Sequence, residues 1–428
     1  MNMIIKILLI SFFTIYICSF IQLSFQTDFS NNENLNEKEK FLRKEKNDIY
    51  INLTIGNPNQ KIKTYLMFSS FYFFITNETL INFYNEKKSK TYKSLEGRSY
   101  GYLKEPFSRG QISTDNFILE TQNKNLEINN FKFILATEYL KNKKKISGGI
   151  GFKLKETDKE NNDFIHILKN NNITDCFYWS IHYKNNNEGN LIIGALPHEY
   201  DNNYYSFYLK NTKTDLSLND GFWYLNFNNI TFGNFTLDKN TKCQLKIETG
   251  FIFGNYQLFY YVYNFFFKEF IEKKICFKNI SSYDDVDDSF DFFYCNNEDV
   301  IKLFPNINFF HRDLNMSFIL NYNDLFDRIE NNFYFLIVFS RQYLNMWILG
   351  KPFLKKYHLI FEPDKKIILS YNEFSKNEKY NIILYIIIFF ILFLILFLLV
   401  LIIQKNYLIN KKVKAIELED SQNYMSID

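Results

Sequence analysis

Tyr50-Ile51-Asn52-Leu53-Thr54-Ile55-Gly56-Asn57-Pro58-Asn59-Gln60 decides how this chain reads. Its first six residues are mostly β-branched, aromatic or aliphatic, and Gly, Asn and Pro close the run, the pattern of a short strand entering a turn. The same texture recurs between Ile49 and Ser370, for instance at Phe117-Ile118-Leu119, with clusters of Asn, Asp, Gly and Lys between the runs. A mostly β fold follows. Only Tyr256 to Lys274 has the length and texture of a solid helix, and Phe164 to Lys169 reads as a shorter one.

Working outward, 428 residues with 46% hydrophobic content suffice for one large two-lobed domain or two smaller ones. The 49 Phe and 31 Tyr beside only 14 Gly and 6 Pro reflect coding bias more than fold, so residue counts carry no functional weight. A net charge of +3, with no basic stripe interleaved with aromatics, argues against a nucleic-acid partner. His166, His182, His198, His311 and His358 are scattered without ligand spacing, so neither a metal site nor a cofactor is expected.

The two ends of the chain place it at a membrane. Met1 to Phe25 carries Lys6 and then an apolar run from Ile7 to Phe20, the layout of a signal peptide or signal anchor, with Cys18-Ser19 and Ser24 as cleavage points. Residues 26–47 read as a flexible lead-in, because Asn31 to Lys46 is charged and nearly free of large apolar residues. The folded domain is expected to start near Asp48. A stalk at 373–381 precedes Ile382 to Ile403, which is uncharged and long enough as a helix, about 33 Å, to cross a hydrocarbon core of about 30 Å. Lys405, Lys411, Lys412 and Lys414 follow it, against Lys376 and Lys379 before it, so the positive-inside rule puts the tail, 404–428, in the cytoplasm. A single-pass type I protein with a lumenal or extracellular domain is the expectation. Sequons at Asn52, Asn77, Asn172, Asn229, Asn234, Asn279 and Asn315 would face the glycosylation machinery there. Tyr424-Met425-Ser426-Ile427 fits a tyrosine-based sorting signal.

Without Cys18, four cysteines remain for an oxidising compartment. Cys276 and Cys295 would close a local loop, whereas the pairing of Cys176 with Cys243, distant in sequence, is left open. The acidic run Asp284, Asp285, Asp287, Asp288 and Asp291 lacks the Gly and terminal Glu of a calcium loop and reads as solvated, as does the Lys141 to Lys145 turn.

Tyr50-x-Asn52-Leu53-x-Ile55-Gly56-x-Pro58-x-Gln60 resembles the first strands of the pepsin-like aspartic protease family. Further elements resemble the same family in the same order. They are Gly149-Ile150-Gly151, Gly189-Asn190-Leu191-Ile192-Ile193-Gly194, Gly221-Phe222-Trp223-Tyr224, and Trp347-Ile348-Leu349-Gly350-Lys351-Pro352-Phe353-Leu354-Lys355-Lys356-Tyr357 with Ile360-Phe361 and Lys366-Ile367-Ile368. The resemblance implies a bilobal acid-protease fold, with an N-terminal β lobe at 48–205, a C-terminal β lobe at 206–372 and a cleft between them.

The chemistry of that family needs two aspartates, one per lobe, that share a proton and activate a water. Each normally begins an Asp-Thr/Ser-Gly loop. Here the first aspartate position is Met67, followed by Phe68, Ser69 and Ser70, and the second is Glu248, followed by Thr249 and Gly250. A thioether neither takes up a proton near neutral pH nor holds a water as a carboxylate does. The extra methylene of Glu248 displaces its acid by about 1 Å, a shift that can cost about 100-fold. Losing a positioned general base costs a further factor of roughly 100 to 10,000.

Tyr100 and Gly101 stand where the resemblance places the tyrosine and glycine of a flap over the cleft, with Gly110 and Asp115 closing the hairpin. Only about 20 residues separate a cleavage point from Asp48, short for the family's cleft-blocking pro-segment. The expectation is an inactive, membrane-anchored homologue that binds an extended peptide or a protein ligand. The alternative is an active endopeptidase that uses Glu248 with a second acid not identifiable in the sequence.

Overall fold

The computed structural model describes residues 19–27, 35–46, 48–77, 84–100, 106–121, 124–139, 146–154, 163–201, 203–218, 220–281, 289–340, 346–371 and 376–424. It is mostly β and two-lobed, as the motifs imply. Residues 1–371 form one unit and residues 372–428 a second.

The opening stretch folds as read. Ile49–Ile55 and Gln60–Met67 pair antiparallel, with Ile55 opposite Gln60 across the turn and Tyr50 opposite Tyr65. Alternation buries Ile49, Ile51, Leu53 and Ile55 and leaves Asn52 exposed, so one face of the strand enters the core. The hairpin carries Met67 to the end of its second strand. There the strand pairs in parallel with Gly148–Gly151, placing Met67 beside Gly151.

Thirteen described strands form the first sheet. Their order is Leu209–Lys213, Ile367–Tyr371, Ile360–Glu362, Trp179–Tyr183, Glu188–Ile193, Ile21–Thr27, Ile49–Ile55, Gln60–Met67, Gly148–Gly151, Phe73–Thr76, Asn125–Tyr139, Phe107–Glu120 and Lys93–Tyr100. Strands from the far end of the chain, Ile360–Glu362 and Ile367–Tyr371, therefore lie in this sheet, outside the division expected at residue 205. The second sheet draws its eleven described strands from between Tyr224 and Leu349. In it Phe235–Leu245 runs parallel to Trp347–Leu349, the counterpart of the Met67 arrangement.

Two N-terminal expectations change. Ile21–Thr27 is a strand between Glu188–Ile193 and Ile49–Ile55, with Ile21 opposite Ile193 and Gln26 opposite Tyr50. It crosses the boundary expected at residue 25, and of the two cleavage points only Cys18-Ser19 leaves it whole. Part of the lead-in is helical, over Glu37–Arg43, with a capping box in which Asn36 and Glu39 each accept the other's backbone N–H. Seven residues make a marginal helix in isolation. Docking holds this one, since Phe41 is fully buried against Phe251, Phe292 and Tyr334 at 4.7–4.9 Å between ring centroids.

Phe164–Asn170 is the short helix anticipated. The longer one is also present and runs without interruption from Tyr256 to Glu272, but its winding changes along the way: Phe259–Val262 and Lys268–Glu272 are α-helical, and Tyr263–Phe267 between them is wound as a π-helix. Cys276 and Cys295 face each other across paired strands and form a disulfide, whose 19-residue separation gives about 3 kcal/mol on the loop-entropy model. No disulfide joins Cys176 to Cys243. The C-terminal helix runs from Lys376 to Tyr424, through the expected stalk and most of the tail, and Tyr385–Lys411 is long and apolar enough to cross a membrane. The acidic run apart from Asp291, the Lys141 to Lys145 turn and Met425 to Ile427 lie outside the described residues.

Candidate functional site

The two loops that resemble the catalytic triplets meet where the lobes join. Each sits in a closely built backbone frame. In the first, the Phe152 N–H donates to Met67 O at 2.8 Å and the Lys153 N–H to Ser70 O at 2.9 Å. In the second, the Lys351 N–H donates to Thr249 O at 2.9 Å and the Lys246 N–H to Leu349 O at 3.1 Å. A Cβ on Gly151 would fall 2.4 Å from Ser70 O, and one on Gly350 would fall 2.1 Å from Phe251 O. Backbone cannot yield to such contacts, which explains the glycine that follows Ile150 in one lobe and Leu349 in the other.

Within equivalent frames the side chains differ. Met67 turns into an apolar cluster with Phe74, Phe107, Ile134, Ala136 and Ile146, and is partly buried there. Phe68, 1% exposed, enters an aromatic group at the lobe junction. Its ring lies 5.3 Å from Trp179, 5.5 Å from Phe361 and 6.1 Å from Phe152. Trp179 stacks on Phe361 at 4.3 Å, and the Trp223 indole N–H donates to Phe152 O at 2.7 Å. The first two side chains of this loop are thus committed to apolar packing, while Ser70 Oγ accepts the Tyr72 N–H at 3.2 Å.

The second loop keeps polar character. Thr249 Oγ1 accepts the Phe251 N–H at 3.2 Å. Glu248 reaches across to the other lobe, where its Oε1 accepts the Ser69 N–H at 2.8 Å. Its Oε2 is buried with no hydrogen-bond partner among the described residues. One acceptor oxygen is therefore committed to the interlobe contact, and the position that would supply a second carboxylate carries Met67.

The lead-in, anticipated as flexible, reaches this site. The Gly250 N–H donates to Lys44 O at 2.8 Å, so the donor at the end of the second triplet is taken by the chain's own N-terminal segment. The Lys44 ammonium contacts Asp327, Lys40 pairs with Glu330 at 2.5 Å, and the Glu37 carboxylate accepts from the Asn331 N–H at 3.3 Å. The sequence contained a signal for this docking, the capping-box pair Asn36 and Glu39 ahead of Phe41.

The flap expectation is partly described. Lys93–Tyr100 and Phe107–Glu120 form an antiparallel hairpin, with Tyr100 opposite Arg109, and Gly101 lies outside the described residues. Asp115 closes the base of the hairpin, accepting from Tyr84 Oη at 2.6 Å and Thr91 Oγ1 at 2.5 Å. Burial and the neighbouring Asp115 push the Tyr84 phenol far above its ordinary range.

A family model described as eukaryotic aspartyl protease matches residues 49–370. Among solved structures, basic 7S globulin from soybean is similar, with a TM-score of 0.60 and 11% identity over 83% of this chain and 97% of that one. Conglutin gamma, described as a unique basic 7S globulin from lupine seeds, is similar to the same degree, with a TM-score of 0.60 and 11% identity over 83% of this chain and 95% of that one. At this identity the likeness concerns the fold alone. No curated protein sequence matches the chain significantly.

Proposed function

This chain belongs to the eukaryotic aspartyl protease family, and from that premise we propose that it is a catalytically silent, membrane-tethered binding module of the secretory pathway. One observation carries the proposal: the first catalytic position holds Met67, and its neighbour Phe68 is built into the aromatic core, where no water-activating group can stand. Glu248 accordingly works as a structural acceptor for Ser69, and the second triplet is covered by Lys44. The tether is the apolar helix over Tyr385–Lys411, with its cytoplasmic side at the lysine-rich end. Exposed Asn52, Asn172, Asn234 and Asn315 suit a glycosylated lumenal face.

What the module binds follows from what the fold retains. The hairpin over the cleft and the paired loops leave a protease-like groove for an extended peptide or a protein segment, bound by strand addition. Such a ligand must first displace the lead-in from Gly250.

The test uses the full chain in an uncharged detergent, offered a degenerate peptide library from about pH 3 to pH 7. It is run beside the triple variant Met67→Asp, Phe68→Thr, Ser69→Gly, the same variant with Glu248→Asp, and Glu248→Ala alone. Phe41→Ala accompanies them to loosen the lead-in, so that silence cannot be ascribed to occlusion. The expected result is no cleavage by the natural chain or by Phe41→Ala, with pepstatin-sensitive turnover appearing only in a repaired chain. Cleavage by the natural chain that Glu248→Ala abolishes would establish an active endopeptidase instead.

A further inference from the structure

Beside Gly250 a cavity of about 570 Å3 opens between the end of the lead-in, the segment Asn323–Arg328, the short helix Lys351–Lys356 and the turn at Asn186 and Asn187. Its size falls in the range of small-molecule sites, about 300–1,000 Å3. Its charge is lopsided. Five cations, Lys44, Arg328, Lys351, Lys355 and Lys356, line it against two carboxylates, Asp324 and Asp327. Both carboxylates are engaged, Asp327 by Lys44 and Asp324 by Lys356 at 2.6 Å. Lys355 donates to the neutral Asn186 Oδ1 at 2.5 Å, and no carboxylate pairs with it among the described residues. Lys351 donates to the carbonyl oxygen of the same Asn186, which brings the two ammonium groups together on one neutral residue.

Like charges drawn together in a partly desolvated recess repel one another, and an anion relieves that repulsion. Burial, with Lys44 and Lys355 nearby, brings the Lys351 ammonium down to about 7, which shows how strongly the recess resists further positive charge. Three elements distant in sequence contribute the cations, so the excess belongs to the tertiary fold rather than to a run of lysines.

We infer that this cavity is a binding site for a small polyanion bearing phosphate or sulfate ester groups, held by Lys351 and Lys355 with Lys44 and Arg328 at its rim. A compact multivalent oxyanion suits the recess better than an acidic peptide. The Gly250 N–H, which an added strand would use, is already bonded to Lys44. Tetrahedral oxyanions also match several ammonium donors converging on one point.

Titration calorimetry on the full chain in uncharged detergent, at constant ionic strength set with chloride, tests the inference. The probes are inorganic pyrophosphate, a disulfated disaccharide and hexaglutamate. Pyrophosphate or the disaccharide is expected to bind saturably, and the tighter of the two assigns the phosphate or the sulfate ester. Lys355 is exposed, so Lys355→Glu leaves the fold intact and should weaken binding at least tenfold, whereas Lys239→Glu, exposed and remote in sequence, should leave it unchanged. Three results overturn the proposal: no binding above chloride, equal losses in the two variants, or hexaglutamate binding more tightly than either ester analogue.

Discussion

The two loops at the lobe junction began from the same architectural problem and now answer it differently. Both hold a strand end against a parallel partner, and both are closed by a glycine that admits no side chain, Gly151 in one lobe and Gly350 in the other. In the first, Met67 and Phe68 spend their side chains on packing. In the second, Glu248 and Thr249 still make hydrogen bonds. The difference separates two demands that an active member of the family meets together. The backbone frame is a condition of folding and is kept in both lobes. The carboxylates are a condition of chemistry, and where chemistry lapses, hydrophobic filling of the same position stabilises the fold. Frame and carboxylates can be separated in this way because function resides in a site carried by a scaffold.

The largest expected effect separates the loops by stability. Phe68→Ala removes a ring buried among Phe152, Trp179 and Phe361 and should cost about 3–5 kcal/mol. Thr249→Ala removes one hydroxyl acceptor for the Phe251 N–H and should cost about 1 kcal/mol. Urea unfolding of the full chain in detergent, followed by tryptophan fluorescence, reads both. Equal losses would mean that the first loop is not the core element it is taken to be.

This asymmetry was only half legible in the sequence. The motifs from Tyr50 to Gln60 and from Trp347 to Tyr357 located both frames, because turn chemistry and tight glycines leave local marks. Met67 is placed by counting from Pro58 and Gln60, and Glu248 by counting from Cys243 and Gln244. Invisible at that level was where the side chains go: that Glu248 reaches Ser69 in the other lobe, and that Phe68 meets Trp179 and Phe361, are contacts over more than 100 residues. In the lead-in, charge content points to flexibility while the N-cap points to a helix. Asn36 and Glu39 started a helix that one buried ring, Phe41, was enough to dock. The helix after Tyr256 shows the reverse limit, since an aromatic texture that promises a helix does not specify its winding, here π over Tyr263–Phe267.

A smaller effect sharpens the comparison from the side of the second loop. Glu248→Ala leaves the partly buried Ser69 N–H without its acceptor and should cost about 2 kcal/mol, while Glu248→Gln, which keeps an acceptor oxygen, should cost less than half of that. The same unfolding measurement distinguishes them. If instead the alanine variant is as stable as the natural chain or more so, the carboxylate is not retained for joining the lobes, and a chemical role for its second oxygen regains force.

The smallest expected effect concerns a second clasp, away from both loops, that tests whether chemically responsive contacts persist elsewhere in the fold. His166 bridges two carboxylates, Asp163 beside it and Asp364 nearly 200 residues on, each at 2.8 Å. Burial opposes protonation of the imidazole, but hydrogen bonds and charge from Asp163 and Asp364 outweigh it and hold the group above its ordinary value of 6.5. A pKa raised on folding contributes stability that is complete below the unfolded value and is lost as pH rises through the folded one. The clasp should therefore add about 0.5 kcal/mol below pH 6, in the range of a partly exposed ion pair, and nothing in mildly alkaline solution. The check is the difference in unfolding midpoint between the natural chain and His166→Asn, followed from pH 5 to pH 9. A difference that shrinks as pH rises supports the clasp. One that is constant, or grows with pH, means that the imidazole is neutral throughout and that its charge adds nothing to the contact.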